Sequence, residues 1–515
     1  MTKKIIIFFV ILTFPYFLIT SASSTDQKFC DQFSEQIESP KIQLIEVKIN
    51  DYKKWTENGI KIIIGNFRWV PTKFKKRFKT KIVVTYVNNK RCEFKARVRH
   101  NGNQKDHIRL INNSNAIIQS LDVNLLSGNI YGIKKFKLLL DNTRGVLEDE
   151  IFLTTLLRKF DYLAPRTMYL NVNQNGSLLK MIFQENPTKE MLSYSSRAEG
   201  PIFRGDERFF FKMAEKLPDS NLSNDSLGMV PLLEDGVRTM LVKQHNSEII
   251  LKNKFFLKSS TESFSNLSLI YLFYSNVFKD EKNNFQYSHY TLNNELLAFH
   301  QPDKILQLDV YNLLLNSANA LHSLSVNNRK FYWNINKNYF EPINYDNNAD
   351  FTRTPNIIIL PVTKSIDKAF LSLNNLLENV NIKTLNKEIN LSGVNQDIKL
   401  TKNKIDQIKK NLTTVKKIYN DYDKDIIEYN YKKKITKEMW SAYYKALLKI
   451  DKNIKTVKKI DKGFQVCDLK LKCEIKNFSI LEIKKLLNGD MVLENIEYQY
   501  IGSDFENNEI LKKLL

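Results

Sequence analysis

The sequence lacks the short motifs that mark the commonest enzyme classes. It contains no Walker phosphate loop, no G-x-G-x-x-G, no G-x-S-x-G and no H-E-x-x-H segment. Its six histidines are scattered over 515 residues, and none is paired at metal-ligand spacing. No common motif therefore identifies the chemistry, and no spacing suggests zinc.

Glycine and proline are scarce, with 15 and 12 residues, whereas basic residues are in excess and give a formal net charge of +22. A basic protein is drawn to anionic surfaces, nucleotides or acidic polymers. The basic residues are spread along the chain, however, and an AT-rich genome alone produces a similar excess of lysine. Because no nucleic-acid-binding module is present, we expect no specific nucleic-acid partner.

The start of the chain has the three parts of a secretory signal peptide. Two lysines precede the apolar run Ile5–Ile19, which is followed by the small residues Thr20–Ser23. We therefore expect a signal peptide over residues 1–22, cleaved after Ala22, and a protein that acts in the periplasm, at the cell surface or outside the cell. An uncleaved anchor is the alternative, but the run is short for the roughly 20 residues of a membrane span. No later stretch is long and apolar enough to span a membrane.

Cysteine is rare as well, since only Cys30, Cys92, Cys467 and Cys473 are present. An even number in an exported chain permits disulfides. Cys467 and Cys473 flank a short loop that a local bridge could close, and Cys30 and Cys92 would then pair by default. Four buried thiols are the alternative.

The pattern of apolar residues predicts an α+β protein. Residues 23–96 are expected to be a β-rich N-terminal region, with these strands: Ile42–Ile49, Ile60–Ile64, Lys81–Val87 and Glu93–Val98. Next come a strand at Lys134–Leu140, a helix at Val146–Phe160, and two strands, Thr167–Val172 and Leu178–Gln184, joined by an Asn-Gly turn.

A second compact unit occupies residues 321–351, where Phe331–Asn334 and Phe340–Ile343 are predicted to form a hairpin. Residues 361–435 are polar, rich in lysine and helical in pattern, which predicts a helical pair or hairpin. Residues 436–515 return to short strands and a closing helix, which predicts a small α+β region.

Several polar residues are placed where phosphoryl transfer needs them. This reaction requires a cation on the phosphates, carboxylates that hold Mg²⁺, and a group that orients the acceptor hydroxyl. Lys137 lies on a strand, and Glu148 or Glu150 in the following helix could pair with it. Asn328 and Asp346 lie at the two ends of the predicted hairpin, which brings both to the same side, where they could share a metal.

These segments resemble the CotH family, the spore-coat-type atypical protein kinases. The resemblance runs from about Arg97 to Phe351, roughly half of the chain, and the kinase-like core is expected over residues 97–360. Its segments are RVRHNGN at 97–103, the KKFKLLL strand, the leucine-rich helix, a hairpin ending in Glu185, GPIFRG at 200–205, NRKFY at 328–332 and EPINYD at 341–346. It implies an atypical kinase-like two-lobed core, ATP, Mg²⁺ or Mn²⁺, and a protein or surface-polymer substrate.

The resemblance also implies roles for individual residues. Lys137 resembles the phosphate-binding lysine, although Lys135 is close enough to compete, and Glu148 or Glu150 resembles its helix partner. Glu185 corresponds to the end of the hinge strand near the adenine. Asn328 and Asp346 resemble the metal ligands. Arg204 could contact phosphate, and the alternative is that it is only a surface charge.

One departure bears on catalysis. The family places an aspartate, the catalytic base, five residues before the metal-binding asparagine, and this position is Ser323 here. A serine cannot accept a proton near neutral pH, but the preceding His322 could, unless it packs as a structural histidine against Tyr332. The sequence thus predicts either an exported kinase or a non-catalytic envelope protein of the same fold that binds a polymer or a protein.

A calcium loop is a weaker alternative for the segment after the hairpin. Asp346, Asn348 and Asp350 alternate there, but the glycine and the glutamate of a calcium-binding loop are missing.

Overall fold

The computed structural model describes residue 30 and residues 41–67, 69–111, 116–214, 239–277, 292–353, 363–421 and 437–503. The expected signal peptide lies outside these ranges. About 42% of the described residues are helical and 28% are in strands, so the predicted α+β class is confirmed. In the described part of the chain, no helix has the length and apolar character needed to cross a membrane.

The N-terminal half is a closed barrel of seven strands. Its strands are β1 (Ile42–Ile49), β2 (Phe78–Tyr86), β3 (Arg91–His100), β6 (Leu121–Leu125), β7 (Lys135–Leu140), β8 (Thr167–Gln174) and β9 (Ser177–Glu185). They follow the order β1-β2-β3-β6-β7-β9-β8, and the parallel pairing of β1 with β8 closes the ring. Two short strands, β4 (Ile108–Ile111) and β5 (Ala116–Gln119), form a separate pair. The inward-facing apolar residues of the barrel strands fill its interior.

The expected strand at Ile60–Ile64 is wrong, because these residues end helix α1 (Tyr52–Ile64). The side chain of Asp51 caps this helix by accepting a hydrogen bond of 3.2 Å from the backbone N–H of Lys54. The buried residues Trp55, Gly59 and Ile62 recur at helical spacing, which places the apolar face of α1 against the β4–β5 pair. The expected domain boundary at residue 96 also needs correction, because it falls inside β3. Strands that precede this boundary and strands that follow it belong to the same barrel.

The unit of strand, helix and hairpin is confirmed. Strand β7 is followed by helix α2 (Leu147–Lys159), and β8 and β9 form the hairpin. Asn175 and Gly176 at its turn have φ values of 49° and 98°, as a two-residue turn of this kind requires.

The second half of the core contains the predicted hairpin inside a larger sheet. Strands β12 (Lys330–Asn334) and β13 (Tyr339–Ile343) pair as expected, and β10 (Ile202–Gly205) and β11 (Val242–Gln244) extend the sheet in the order β11-β10-β12-β13. The helices of this part are α3 (Lys189–Tyr194), α4 (Arg208–Ala214), α5 (Lys254–Val277), α6 (Asn294–Leu297) and α7 (Pro302–Ser317).

The segment from 361 to 435 contains three described helices where the sequence predicted a pair. They are α8 (Ile366–Asn379), α9 (Ile382–Leu391) and α10 (Ile398–Asp421). Their apolar faces share one buried cluster with α2 and α7, which explains why polar, lysine-rich helices are stable here.

The C-terminal region is a five-stranded sheet with two helices, α11 (Lys437–Ile450) and α12 (Ile480–Asn488). Its strands are β14 (Ile454–Ile460), β15 (Gly463–Asp468), β16 (Cys473–Lys476), β17 (Val492–Leu493) and β18 (Ile496–Ser503), in the order β16-β15-β14-β18-β17. The described helix α12 precedes the last two strands and does not close the region.

A buried ionic network attaches this C-terminal region to β10. Arg208 lies 2.6 Å from the carboxylate of Asp206 and 3.2 Å from that of Glu497 in β18, and it also contacts Gln499. Asp206 is 1% exposed and lies 3.3 Å from the amine of Lys243 in β11. The C-terminal sheet is thereby bound to the β10–β13 sheet by charge as well as by apolar packing.

Both expected disulfides are confirmed. Cys30 is bonded to Cys92 in β3, and Cys467 is bonded to Cys473 across the β15–β16 turn. The alternative of four buried thiols is therefore excluded.

Candidate functional site

Two lysines from different sheets meet at the ring of Tyr345. Lys137 on β7 contacts the Tyr345 hydroxyl, and its amine lies 4.6 Å from the ring centroid. The amine of Lys330, at the start of β12, lies 3.0 Å from the same centroid. Since β7 belongs to the barrel and Tyr345 follows β13, this contact joins the two halves of the core.

Asp346 is the carboxylate at this place. Its backbone has a left-handed φ of 56°, and its Oδ1 lies 3.0 Å from Nη1 of Arg144 and 3.5 Å from Nδ1 of His322. Burial alone would raise the pKa of Asp346, but the positive charges of Arg144, His322 and Lys137 hold it well below its usual range. Asp346 is therefore ionised at every physiological pH.

His322 and Asn328 lie beside Asp346, as the sequence predicts. Nδ1 of His322 lies 2.9 Å from the backbone oxygen of Asp346, and the Asn328 amide nitrogen lies 3.1 Å from Nε2. Burial works to lower the pKa of His322, yet the pKa is raised because Asp346 stabilises the imidazolium. The hydrogen-bond contacts of the imidazole are with Asp346 and Asn328, and the Tyr332 hydroxyl donates to the backbone of Ala198.

A row of like charges crosses the second sheet. Lys243, Arg204 and Lys330 occupy directly opposite positions on β11, β10 and β12, so their side chains leave the same face. Lys243 is neutralised by Asp206. Within the described chain, the guanidinium of Arg204 forms neither a hydrogen bond nor an ion pair.

Burial and the neighbouring cations lower the pKa of both lysines. Burial, followed by the charge of Arg144, lowers the pKa of Lys137 to about 8. Burial, followed by the charges of Lys137 and Arg204, lowers the pKa of Lys330 well below its usual range. We refer to Lys137, Arg144, Arg204 and Lys330 as the cationic cluster. Its excess of positive charge over the single carboxylate of Asp346 suits a ligand that bears several negative charges.

The two candidate glutamates of α2 lie in different surroundings. Glu148 is exposed, whereas Glu150 is buried and accepts hydrogen bonds from the Gln184 side chain at 3.3 Å and the Asn348 backbone at 3.0 Å. Burial raises the pKa of Glu150 to about 7. Among the described residues, neither glutamate forms an ion pair with Lys137.

Glu185 is held by Arg166, the residue that directly precedes β8. Its carboxylate forms a two-pronged pair with Arg166, with distances of 2.6 Å and 2.8 Å. Its backbone N–H donates to the carbonyl of Arg166, and the N–H of Asn186 donates to Lys135. The Glu185 carboxylate and the backbone N–H groups of Glu185 and Asn186, which the resemblance places near the adenine, are thus already hydrogen-bonded within the protein.

Ser323 is turned away from Asp346. It is 3% exposed, and its hydroxyl donates to the backbone oxygen of Ala320 at 3.1 Å. The position at which the family carries its catalytic aspartate thus presents no proton acceptor to the cationic cluster.

The oxygen donors for a metal are few. Asp346 supplies one carboxylate and Asn328 one amide oxygen, and no group of three or more acidic, histidine or cysteine side chains in the described ranges is arranged for a metal. This set suits Mg²⁺, which takes one or two carboxylates and completes its shell with phosphate oxygens and water. It does not suit a calcium loop, because Asn348 accepts from the N–H of Gly145 and Asp350 caps its own turn at Thr352.

Three site residues were not predicted from the sequence: Arg144, Lys330 and Tyr345. Lys330 stands two positions after Asn328, and Tyr345 directly precedes Asp346, so proximity to those candidates was the available signal. Arg144 lies in the turn between β7 and α2, and its sequence gave no signal beyond its charge.

Comparison with models of known protein families finds no match. A search of curated proteins also finds no similar protein.

Proposed function

We propose that this protein is an exported atypical kinase that transfers the γ-phosphoryl group of ATP to a hydroxyl on a protein or a surface polymer. The observation that carries the proposal is the cationic cluster around Asp346, with His322 and Asn328 beside it. The two-lobed kinase-like core is part of the proposal, and the meeting of Lys137 from the barrel with Tyr345 from the second sheet supports it.

The chain's own residues suggest a division of roles. Lys137 and Arg204 would bind phosphate oxygens, because neither side chain forms an ion pair within the described chain. Arg144 fixes the Asp346 carboxylate by its ion pair. Asp346 and Asn328 would hold Mg²⁺ or Mn²⁺, which would neutralise charge on the transferred phosphoryl group.

His322 is the candidate proton acceptor for the substrate hydroxyl. Its side chain is 45% exposed, so an acceptor can reach it. It accepts a proton only when neutral, and the raised pKa keeps it protonated to a higher pH than an ordinary histidine. The transfer rate should therefore increase from weakly acidic to weakly alkaline pH.

Export is supported by the two disulfides, because such bonds persist mainly in oxidising compartments. A cell-surface, periplasmic or extracellular location follows as part of the proposal.

The test is the transfer of labelled phosphate from ATP by the purified protein, with Mg²⁺ and then Mn²⁺. Self-phosphorylation that requires the metal and disappears in Asp346→Ala would support the kinase. A His322→Ala variant with an unaltered rate and pH profile would remove the histidine from the mechanism while leaving the kinase itself standing.

The second candidate is a non-catalytic envelope protein with the same fold, which binds a polymer or a protein partner. The burial and hydrogen bonding of Ser323 favour it, because no carboxylate replaces the missing base. ATP binding without any labelling would support this candidate over the kinase.

A further inference from the structure

Lys330 is a buried amine that no carboxylate of the described chain contacts. It is 6% exposed, and its described contact is the face of the Tyr345 ring. No hydrogen bond or ion pair joins its amine to any other part of the described chain. Burying an unpaired charge is costly, so a lysine here is best explained by a negatively charged partner that is not part of the chain.

Arg204, on the neighbouring strand β10, is a second basic side chain that would need an anion. It lies directly opposite Lys330 in the β10–β12 register, and like charges at opposed positions repel. Asp206 forms an ion pair with Lys243 on the other side, but no carboxylate among the described residues forms one with Arg204. Two adjacent cations without partners therefore point to the same missing anion.

The charges around Tyr345 do not balance. The cationic cluster contains four basic side chains, whereas the carboxylates whose charges act on its two lysines are Asp346, Asp122 and Glu207, and Asp122 is already paired with Arg77 and Arg99. Asp346 is already engaged by Arg144. A chain of phosphates has the several closely spaced negative charges that such a cluster can neutralise, with Lys and Arg as its usual donors.

We propose that the cationic cluster binds the triphosphate of ATP as the metal-free anion, with Lys330 and Arg204 supplying charge that a metal supplies in other kinases. The inference rests on the ATP site of the proposed function and specifies the form of the ligand. Metal is then needed for transfer but not for binding. Asp346, as the carboxylate nearest the cluster, weakens the binding of the bare anion.

The experiment is calorimetric titration of the purified protein (residues 23–515) with ATP and, separately, with inorganic triphosphate, in EDTA and in Mg²⁺. We expect ATP to bind in EDTA with an affinity within about threefold of that in Mg²⁺. Inorganic triphosphate should bind as tightly as ATP, to within about tenfold, because the phosphates provide the contacts.

Three variants sharpen the test. Lys330→Met should weaken ATP binding in EDTA by about tenfold or more, the value of a lost charge-assisted hydrogen bond. Asp346→Asn should strengthen it, whereas the loss of a residue that acts only as a metal ligand would leave binding in EDTA unchanged and weaken binding in Mg²⁺. Lys95→Met removes the same charge from an exposed position on β3 and should leave the affinity unchanged.

The outcomes separate this inference from the function on which it rests. Failure of ATP to bind under any condition would overturn both. Binding that appears only with Mg²⁺, or that Asp346→Asn abolishes, would overturn metal-free binding and leave the kinase intact. ATP binding without triphosphate binding would show that the cluster is not the recognition element. Thermal unfolding of each variant establishes that it is folded, and Lys330→Met should be at least as stable as the parent.

Discussion

The contribution of the Arg144–Asp346 ion pair to stability can be measured by replacing one carboxylate oxygen of Asp346 with an amide nitrogen. Asp346→Asn keeps the size of the side chain and removes its charge. Asparagine also tolerates the left-handed φ of 56° at this position, so the backbone is not strained by the substitution. The variant therefore isolates the electrostatic contribution of the carboxylate.

The expected magnitude follows from burial and distance. Arg144 is 8% exposed, and its Nη1 lies 3.0 Å from Oδ1 of Asp346. Removing one partner of a buried pair costs about 3–5 kcal/mol, because the other charge remains buried and unpaired. The Asp346 side chain retains 19% exposure, so solvent screens part of this effect. We expect a loss of about 2–4 kcal/mol in the free energy of unfolding.

The assay is urea unfolding of the parent, Asp346→Asn, Arg144→Met and the double variant at pH 7. The double variant should be more stable than the sum of the single losses predicts, with a coupling energy of about 1 kcal/mol or more. Because the pKa of Asp346 is lowered by folding, its contribution is present above the unfolded value of about 3.9 and is lost as the pH falls further. A loss below about 0.5 kcal/mol with no coupling would refute the proposed role of the pair.

Further predictions concern the surroundings of the site. The pKa of Lys137 is lowered to about 8 by folding, so the unfolded state binds more protons between about pH 8 and 10 and stability should increase with pH there. Lys137→Met should lack this increase; equal pH profiles of the unfolding midpoint would contradict the lowered pKa. Gly205→Ala places a Cβ 2.8 Å from the backbone oxygen of Val326, so we expect about 1–3 kcal/mol of destabilisation in urea unfolding, and an unaltered midpoint would argue against this close approach. Glu185→Gln leaves Arg166 without its carboxylate and should cost about 2–4 kcal/mol in the same assay, whereas a neutral result would mean that the pair does not stabilise the fold.

The parts of the fold that could be predicted from the sequence are those set by neighbouring residues. Strand β7, helix α2 and the β8–β9 hairpin follow from local apolar patterns and an Asn-Gly turn. Ile60–Ile64 was mispredicted because β-branched residues favour strands, whereas the cap at Asp51 and the spacing of Trp55, Gly59 and Ile62 favour a helix.

The site divides in the same way. His322, Asn328 and Asp346 come together because they flank a single hairpin, which the sequence shows directly. The positions of the charged residues Lys330, Arg204 and Arg144 could not be predicted in this way. Lys330 lies opposite Arg204, which is more than a hundred residues earlier in the chain, because β10 pairs with β12. Arg144 contacts Asp346 because the segment after β13 lies next to the turn between β7 and α2. No local pattern encodes such pairings.

The closure of the barrel and the Arg208 network also determine how much of the chain must fold together. A fragment limited to residues 97–360 would lack β1 and β2, and this would expose the edges of β3 and β8 to pairing with other chains. The same fragment would leave the charges of Arg208 and Asp206 without Glu497 and Gln499. We therefore expect the smallest autonomous folding unit to be longer than residues 97–360, because the outlying segments contribute strands and charges to the core.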